Sequence, residues 1–503
     1  MSVIGELGNS SNDGMLAFRL DASFAIGHGH LSRCTMLARA LQERGWEIHF
    51  LLAMPVSELE DISKNFPAYV FHALPTFADE IEDAAHSMLI LKKLQPKWVI
   101  VDHYGLGLIW EREIGRFFAL AAIDDLDRAH FASVILDQNL GVRHYSENHS
   151  EKKARLLLGP RYALIASDFL KYRKCESFLS AQESIKVAVT FGTYDQKKSS
   201  DLVIKALREF SGLELTFFCG RDEALLSRAT KWSDDHANVH VLGFQHDMAR
   251  QLSKFDVVIG AGGVSALERL CLGVPSVLVA TADNQVEVSE SLAKVGAVMY
   301  LGLREALTPD CIALALGVLK TQPWLGVSLR EKGFSLVDGQ GLLRVVAAFD
   351  PPYALRKAGP EDLLSVYRWR NSPENQRFSI QTQGEISIEN HTIWFNKCLG
   401  NPQQHLLIAE DEKAPVGVLR LDVDHTEATV SIYLLPGLKG QQRGQRCLRA
   451  LELYAHQNLP SVKSFLAEIQ EGNTASIKCF EACGYKLSKR CYTLTLITPA
   501  PHG

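Results

Sequence analysis

Residues 19 to 34 read RLDASFAIGHGHLSRC and decide the fold of the first part of this chain. An apolar run from Met15 to Leu20 predicts a strand, and a glycine-rich turn follows it at 27–30, Gly-His-Gly-His. The apolar, alanine-containing stretch that begins at Leu31 then predicts a helix. Strand, glycine turn and helix are the first unit of a doubly wound α/β domain, in which ligands bind at the carboxyl end of the strand.

The length and composition predict several domains and exclude some partners. At roughly 150 residues a domain, the 503 residues predict about three domains. The net charge is −5 without a long basic block, so nucleic acid is not expected as a partner. No CxxC pair occurs among the ten cysteines, so no metal is expected. No apolar run is long enough to span a bilayer, and the first residues lack signal-peptide features, so we expect a cytoplasmic protein without a membrane partner.

The chain divides into three predicted domains. Strand-like and helix-like runs alternate over residues 15–160, and the pattern restarts near Lys186, which predicts two parallel-sheet domains, 15–160 and 161–350, with a cleft between them. The clearest linker is 350–353, Asp-Pro-Pro-Tyr, because two prolines end a helix and favour extended chain. Residues 353–503 then predict a smaller α+β domain with its own core.

Several motifs of the first two domains carry a family resemblance. They are Arg19–Asp21, 27–30, Arg33–Cys34, Val101–Gly105, Gly260–Glu268 and Ala282–Gln285. Over about residues 15 to 345 the chain resembles the UDP-sugar hydrolases of pseudaminic acid biosynthesis, which share a fold with MurG-type glycosyltransferases. The resemblance implies a GT-B architecture, two Rossmann-like domains with a nucleotide-sugar in the cleft.

The same resemblance implies the site residues. His30 would be the general base that activates water, a role that suits an imidazole. The glycine loop and the helix after it would hold the diphosphate on free backbone N–H groups. Glu268 would lie near the ribose hydroxyls, and Tyr104 and Asn284 would position the sugar or the water. The predicted substrate-binding residues are Arg19, Asp21, Gly27, Gly29, Tyr104, Gly262, Gly263, Glu268, Asn284 and Gln285.

Other interpretations of these residues stay open at this point. A histidine at a helix start is often a cap or a surface residue, and His28 fills a variable position of the motif. Asp102 is either functional or a loop cap, and the pair Asp124-Asp125 is interpreted as structuring a loop, with contact to the substrate as the alternative. The loop 191–195, Phe-Gly-Thr-Tyr-Asp, lacks the two adjacent glycines expected there, which alters the expected phosphate contact.

The third domain carries two further motifs, Arg368–Asn371 and Asn473–Tyr485. They resemble the GCN5-related N-acetyltransferases (GNAT), and in particular the acetyltransferase of the same pathway. The resemblance implies that acetyl-CoA lies in a gap between two strands, with its pyrophosphate on the loop 438–445. The predicted acetyl-CoA residues are Leu434, Lys439, Arg443, Gly444 and Asn473.

Two positions depart from the acetyltransferase pattern. Gln442 replaces the middle glycine of the pyrophosphate loop, which hinders close approach of the backbone. Phe480 stands where many members have a tyrosine that protonates the departing thiolate, and a phenyl ring cannot donate a proton. An active domain therefore needs another donor or water, and the alternative is a domain that is kept for packing.

The two resemblances together predict a bifunctional enzyme of pseudaminic acid biosynthesis. The C-terminal domain would acetylate the 4-amino group of UDP-4-amino-4,6-dideoxy-N-acetyl-β-L-altrosamine with acetyl-CoA. The first two domains would hydrolyse the product to UDP and 2,4-diacetamido-2,4,6-trideoxy-L-altrose. The expected partners are therefore a UDP-activated amino sugar and acetyl-CoA. Two alternatives remain, a MurG-like glycosyltransferase and a nucleotide-sugar-binding module fused to a protein N-acetyltransferase.

Overall fold

The computed structural model describes residues 14–20, 29–141, 143–145, 154–173, 184–195, 197–208, 212–378, 384–440, 442–470, 472–488 and 491–495. The chain divides into two compact units. The first unit comprises Met1–Gln42 and Trp46–Ala348, and the second comprises Glu43–Gly45 and Phe349–Gly503. Two sheets form the first unit and one sheet forms the second.

The first sheet is parallel and forms the N-terminal lobe of the first unit. Its strands are β1 (Met15–Leu20), β2 (Glu47–Ala53), β3 (Val70–Leu74), β4 (Trp98–Asp102), β5 (Ala119–Ile123), β6 (Val134–Asp137) and β7 (Arg155–Leu158), and its helices are α1 (Gly29–Gln42), α2 (Val56–Asn65), α3 (Glu80–Leu94) and α4 (Leu108–Gly115). The strand order is β3-β2-β1-β4-β5-β6-β7. The order reverses between β1 and β4, and doubly wound sheets bind ligands beyond the carboxyl ends of such a strand pair.

The second sheet is also parallel and forms the C-terminal lobe of the first unit. Its strands are β8 (Ile185–Thr190), β9 (Leu213–Phe218), β10 (Val239–Leu242), β11 (Val257–Ala261), β12 (Ser276–Ala280) and β13 (Met299–Leu303). The helices are α5 (Ser167–Lys171), α6 (Ser199–Leu207), α7 (Glu223–Asp234), α8 (Met248–Leu252), α9 (Val264–Leu272), α10 (Val286–Lys294), α11 (Pro309–Thr321), α12 (Pro323–Leu336) and α13 (Gly341–Phe349). The strand order is β10-β9-β8-β11-β12-β13, so this sheet reverses between β8 and β11. Its central strands are buried on both faces, as helix-covered parallel sheets require.

The third sheet belongs to the second unit and is mixed. Its strands are β14 (Ala354–Lys357), β15 (Gln404–Asp411), β16 (Ala414–Asp424), β17 (Glu427–Leu434), β18 (Ser464–Ala467), β19 (Lys486–Ser488) and β20 (Cys491–Thr495), in the order β14-β15-β16-β17-β18-β20-β19. The helices are α14 (Leu363–Arg370), α15 (Pro373–Gln376), α16 (Ile388–Gly400), α17 (Arg443–Asn458) and α18 (Thr474–Ala482). All neighbouring strands are antiparallel except β17 and β18, which are parallel.

The fold class predicted from the sequence is confirmed, with two Rossmann-like sheets followed by a mixed-sheet domain. The boundaries 15–160, 161–350 and 353–503 stay predictions, and the sheets lie within them. Among the residues described above, no single helix is long and apolar enough to cross a membrane. The helical segments Pro309–Thr321 and Pro323–Phe349 are bent relative to each other. Taken together they have the length and apolar composition of a membrane span, properties that core helices of other proteins also have.

Candidate functional site

The first group of site residues lies where β1 and β4 end. His30 is the second residue of α1 and is buried, and Asp102 is the last residue of β4. His30 Nδ1 lies 2.6 Å from Asp102 Oδ1. Arg33, one turn further along α1, donates from Nε to Asp102 Oδ2 at 2.6 Å. One carboxylate therefore holds both the imidazole and the guanidinium.

The charge on Asp102 fixes the tautomer of His30. Burial by itself would raise the pKa of Asp102, but the Arg33 guanidinium and the His30 ring hold that pKa well below the usual range. An ionised carboxylate only accepts hydrogen bonds, so His30 carries its proton on Nδ1. His30 Nε2 makes no hydrogen bond to the described residues, so it is the ring nitrogen that a ligand or water can reach. A carboxylate paired with an imidazole in this way is an arrangement that can serve general-base chemistry.

The second group lies beside His30 and connects the two lobes. The ring of Tyr104 meets the ring of His30 edge-on, with 4.6 Å between their centroids. The Tyr104 hydroxyl donates to Asp125 Oδ2 at 3.0 Å and accepts from Asn284 Nδ2 at 3.4 Å. Burial and the neighbouring Asp125 raise the pKa of Tyr104 to about 12, so this hydroxyl keeps its proton. The structure thus brings His30, Tyr104 and Asn284 together, as the sequence predicts.

The glycine loop of the C-terminal lobe ends at an open helix start. Gly263 is the residue before α9, and within the described ranges no side chain is seen to cap the first N–H groups of that helix. Gly262 approaches α10 so closely that a Cβ there would lie 2.0 Å from Ser289 Oγ. A side chain at Gly262 would require Ser289 to move, and the open helix start offers N–H groups and a partial positive charge to an anion.

Glu268 and Gln285 lie near this loop. Glu268 is half-buried one turn into α9, and its carboxylate has no hydrogen-bond partner among the described residues. Burial raises its pKa to about 7, only partly offset by the adjacent Arg269. Gln285 Oε1 accepts from the backbone N–H of Thr281 at 3.0 Å, which fixes the amide beside Gly263. A hydrogen-bond donor on a ligand would satisfy the unpaired Glu268 carboxylate.

The neighbouring helix start in this sheet is closed. Asp195, in the loop after β8, accepts from the backbone N–H groups of Ser199 and Ser200 at 2.8 and 2.7 Å. Its carboxylate therefore occupies the positive end of α6. The loop 191–195 therefore differs from a phosphate-binding turn in two ways: Thr193 stands where a second glycine is expected, and the Asp195 carboxylate occupies the helix start.

The other predicted residues of the first unit are not all in the cleft. Arg19 is 1% exposed, and its Nε donates to Asp83 at 3.2 Å inside the N-terminal lobe. We therefore propose no substrate contact for Arg19. Gly29 begins α1, where a Cβ would meet open space. The predicted residues Asp21 and Gly27, and also His28, lie outside the described residues.

Sequence reasoning did not assign a role to Arg33 and left Asp102 open. The two side chains meet because α1 begins beside the end of β4, although 69 residues separate them along the chain. Arg128 is a further residue without a sequence signal. It donates to the carbonyls of His103 and Tyr104 at 3.2 and 2.9 Å and is paired with Asp124, so it fixes the loop that carries Tyr104.

The candidate site of the second unit begins where two strands diverge. β17 pairs with β18 only from Glu427 to Thr429, whereas the rest of β17 pairs with β16 alone. The β18-side backbone of 430–434 is therefore not used by the sheet. An extended ligand with amide groups can pair with such a strand edge.

The loop after β17 leads to a second open helix start. Gln442 precedes α17 with a φ of 52°, in the left-handed region, and no side chain in the described part of the protein caps the helix. Gln442 therefore adopts a conformation that glycine adopts more easily. Gly444 lies against α18, where a Cβ would lie 2.9 Å from Cys479 Sγ. The open end of this 16-residue helix is suited to an anionic group.

The predicted acetyl-CoA residues already have partners. The Leu434 carbonyl accepts from Asn375 Nδ2 at 3.0 Å, and Lys439 Nζ donates to the Glu374 carbonyl at 3.1 Å. Arg443 reaches the Leu438 carbonyl at 3.5 Å. Asn473 caps α18, because its side chain accepts from the Ser476 N–H at 3.2 Å.

Phe480 lies in the core of the second unit. It is buried, and its ring meets the Tyr485 ring edge-on at 4.8 Å. The Tyr485 hydroxyl is buried and has no hydrogen-bond partner among the described residues. In the described part of the chain, no cluster of three or more histidine, cysteine or acidic side chains could hold a metal ion.

Family comparisons match each unit separately. Residues 186–317 match the glycosyltransferase family 28 C-terminal domain, and residues 354–486 match an acetyltransferase (GNAT) domain. An uncharacterized protein of Methanocaldococcus jannaschii is 23% identical over 511 residues, which cover 94% of this chain and 97% of that protein. The similarity to that protein therefore spans both units of this chain.

Two relatives with functional names match the first unit. The spore coat polysaccharide biosynthesis protein SpsG of Bacillus subtilis is 24% identical over 211 residues, 41% of this chain and 62% of that protein. The UDP-2,4-diacetamido-2,4,6-trideoxy-beta-L-altropyranose hydrolase of Campylobacter jejuni is 21% identical over 282 residues, 56% of this chain and 96% of that protein. The crystal structure of Acinetobacter baumannii MurG has a TM-score of 0.51 at 16% identity, covering 67% of this chain and 99% of that chain, which shows the fold alone.

The chain thus joins a region homologous to the UDP-sugar hydrolase and SpsG, with a MurG-like fold, to a GNAT acetyltransferase domain. The predicted fusion is confirmed. The first unit contains a domain of a nucleotide-sugar-using glycosyltransferase family, and the second contains an acetyltransferase domain, whose acyl donor in this family is acetyl-CoA.

Proposed function

We propose that the chain is a bifunctional enzyme that N-acetylates a UDP-linked amino sugar and then hydrolyses the acetylated product to UDP and free sugar. The observation that carries the hydrolase half is the His30–Asp102 pair, at 2.6 Å, at the strand reversal of the N-terminal lobe. The substrates would be those predicted from the sequence, because the Campylobacter relative bears the name of a hydrolase for the diacetamido sugar nucleotide. The proposal places the chain in the cytoplasm, where acetyl-CoA and sugar nucleotides are made.

Hydrolysis requires a water molecule that attacks the anomeric carbon. His30 Nε2 removes one proton from this water while its oxygen bonds to C1, and the bond from C1 to the diphosphate oxygen breaks. Asp102 stabilises the imidazolium that forms, and it holds the ring so that Nε2 faces the reaction. Tyr104 and Asn284 hold the sugar beside His30, because their side chains meet within the same group.

The leaving UDP would be held by the C-terminal lobe. The uncapped N-terminus of α9 binds the diphosphate with backbone N–H groups, which stabilise the charge that develops as the bond breaks. Glu268 accepts hydrogen bonds from the ribose hydroxyls, and Gln285 lies beside the loop at Gly263. Binding and chemistry are thereby assigned to different lobes of the first unit.

The acetyltransferase half is supported by the strand divergence and the open start of α17 in the second unit. The free edge of 430–434 fits the amide groups of the pantetheine arm, and the start of α17 with Arg443 and Gly444 fits the pyrophosphate. Acetyl-CoA supplies the acetyl group that the sugar amine takes up. Because Phe480 cannot donate a proton, this chain would use water or another donor for the thiolate.

A single assay tests both halves. The full chain is incubated with the UDP-4-amino sugar, with and without acetyl-CoA, and the products are followed by mass spectrometry and by release of UDP. Free diacetamido sugar and UDP, formed only with acetyl-CoA, are the expected result. An acetylated sugar that stays on UDP would contradict the hydrolase half, and sugar transfer to an added acceptor would identify a glycosyltransferase. Tight binding of the UDP-sugar without turnover, with acetylation of protein amines, would identify a binding module.

A further inference from the structure

We infer that Arg33 is a positioning residue of the proposed hydrolase, whose charge balances two carboxylates beside His30 and thereby favours the neutral ring that accepts a proton from water. This inference rests on the proposed function, because general-base catalysis requires an unprotonated nitrogen on His30. Arg33 follows His30 by one turn of α1 and is buried, with 6% of its surface exposed. Its role is therefore argued from the groups that it touches inside the N-terminal lobe.

Arg33 forms ion pairs with two carboxylates. Its Nε donates to Asp102 Oδ2 at 2.6 Å and its Nη2 donates to Asp102 Oδ1 at 2.5 Å, so this pair is bidentate. Its Nη1 lies 3.4 Å from Asp125 Oδ2. Asp102 also holds His30 Nδ1, and Asp125 accepts from the Tyr104 hydroxyl. The guanidinium therefore lies between the carboxylate that holds the base and the carboxylate that holds Tyr104.

The guanidinium also faces the imidazole directly. Arg33 Nη2 lies 3.3 Å from His30 Nδ1, the nitrogen that is paired with Asp102. Burial by itself would lower the pKa of Arg33, but the charge and hydrogen bonds of Asp102 raise that pKa well above its ordinary value, so Arg33 stays charged. A fixed positive charge at this distance opposes a second positive charge on the ring.

The other groups near His30 leave one uncompensated negative charge. The charged and titratable groups that the described residues place against His30, directly or through one partner, are Arg33 and Cys34 on α1, Asp102 at the end of β4, Tyr104 in the next loop and Asp125 after β5. Tyr104 keeps its proton, and burial raises the pKa of the Cys34 thiol well above its usual value, so both are neutral. With both carboxylates ionised, one positive and two negative charges give a net charge of −1, and without Arg33 the net charge would be −2.

This difference determines how readily the ring holds a proton. Nearby negative charge favours the protonated imidazole, and nearby positive charge disfavours it. Without Arg33, the two carboxylates would hold His30 as an imidazolium to higher pH, and Nε2 would already carry a proton when water has to be activated. Arg33 thus allows Asp102 to orient the ring without fixing it in the protonated form.

The test measures the titration of His30 in the full chain without substrate, so it does not depend on hydrolysis. Histidine is labelled with ¹³C at Cε1, and the NMR signal of His30 is assigned with the His30→Gln variant. We expect Arg33→Met, which removes the charge, to move the midpoint of the His30 titration up by about 1 to 2 pH units. Arg33→Lys is the matched control, because it keeps the charge, and should move the midpoint by less than about 0.5 pH units.

A third variant changes the charge in the opposite direction. Asp125→Asn removes one negative charge from the same group, so the His30 midpoint should move to lower pH. This variant together with Arg33→Lys keeps the test available if Arg33→Met does not fold, which thermal unfolding reports. In Arg33→Met the acid limb of the pH profile of kcat/KM for the diacetamido UDP-sugar should move up together with the NMR midpoint.

The outcomes separate the charge of Arg33 from its packing. An unchanged midpoint in Arg33→Met overturns the inference, as do equal shifts in Arg33→Met and Arg33→Lys, because the loss of charge would then not be the cause. A midpoint that stays or rises in Asp125→Asn overturns it as well. A wild-type chain that does not hydrolyse the sugar contradicts the proposed function instead, and the NMR midpoints still decide whether Arg33 balances the charge at His30.

Discussion

Gly262 and Ser289 are in such close contact that a Cβ on Gly262 would lie 2.0 Å from the serine hydroxyl oxygen. The loop after β11 and the helix α10 are thereby held together at the open start of α9. Gly263, one residue on, has much more room, since a Cβ there would meet only Gln285 Nε2 at 3.9 Å. Packing against Ser289 therefore restricts the residue at Gly262, whereas a side chain at Gly263 would have room.

Gly262→Ala should destabilise the first unit by about 1–3 kcal/mol, the usual cost of overpacking. Thermal unfolding measures this loss, and Gly263→Ala is the matched control that should leave the melting temperature nearly unchanged. Adding Ser289→Ala should restore most of the loss, because the next atoms, Gln285 O and Ser289 Cβ, lie 3.4 Å away. Equal destabilisation by the two glycine substitutions would contradict the close contact as its cause.

His30→Gln should lower the rate of UDP release by about 10²- to 10⁴-fold, because the base that activates water is removed. Asp102→Asn should lower it by a similar factor, since an amide no longer fixes the Nδ1-protonated tautomer of His30. Stopped assays with the diacetamido UDP-sugar measure both rates. Acetyl transfer to the amino sugar is the internal control and should stay unchanged in both variants. A His30 variant with normal hydrolysis would refute the base assignment.

UDP-sugar binding should weaken as the pH falls below about 7, because Glu268 has a pKa of about 7 and is a stronger hydrogen-bond acceptor when ionised. Above that pH the carboxylate is charged and affinity levels off. Below it, each pH unit costs up to about 1.4 kcal/mol for deprotonation on binding, a factor of about ten in Kd. Calorimetry over about pH 5.5 to 8.5, a range that brackets the pKa, measures how Kd changes. The ligand is an intact UDP-hexose, whose phosphates do not titrate in this range.

Glu268→Gln supplies the control for that experiment. Its affinity should be lower at pH 8 than that of the wild type, by roughly the worth of a charged hydrogen bond, and independent of pH. A wild-type Kd that stays flat across the range would show that the ribose does not use this carboxylate.

Gly444→Ala should raise the KM for acetyl-CoA and lower the melting temperature of the second unit. The added Cβ would lie 2.9 Å from Cys479 Sγ, so the Cys479 side chain or α18 must shift at the start of α17. Cys479→Ala removes the sulfur and should restore both quantities in the double variant. Acetyl-CoA kinetics and unfolding curves measure the two effects, and a double variant as impaired as Gly444→Ala alone would show that the helix contact is not the cause.

The strands predicted from the sequence are those with short, continuous apolar runs. The apolar runs Glu47–Ala53 and Ser276–Ala280 predict strands, and β2 and β12 have these bounds because both are nearly fully buried. β3 was not predicted, since Val70–Leu74 is mostly half-exposed and lacks a clear apolar run. α16, Ile388–Gly400, mixes aromatic and polar residues and was also not predicted.

The site was predictable where the residues share one motif, and not where the fold brings distant residues together. His30 and the loop at Gly262 each lie in a glycine-rich turn after a strand, which marks a ligand site. The partner of His30 lies 72 positions away at the end of another strand. Arg19 belongs to a motif, yet β1 directs its side chain to Asp83 in the core. Which face a strand residue occupies depends on packing that the motif does not contain.

In the first unit, the Asp195 carboxylate occupies a helix N-terminus that could otherwise bind an anion. It fills the start of α6, whereas α9, which begins at the neighbouring strand end of the same sheet, is left open by its side chains. Of the two helices that begin after β8 and β11, α9 is the one whose start the described side chains leave uncapped, and in the proposed complex the diphosphate binds there. A diphosphate with a single binding position binds in one register, so the sugar attached to it has one orientation. Under the proposed function, the Asp195 carboxylate would in this way help to determine which bond of the substrate faces His30.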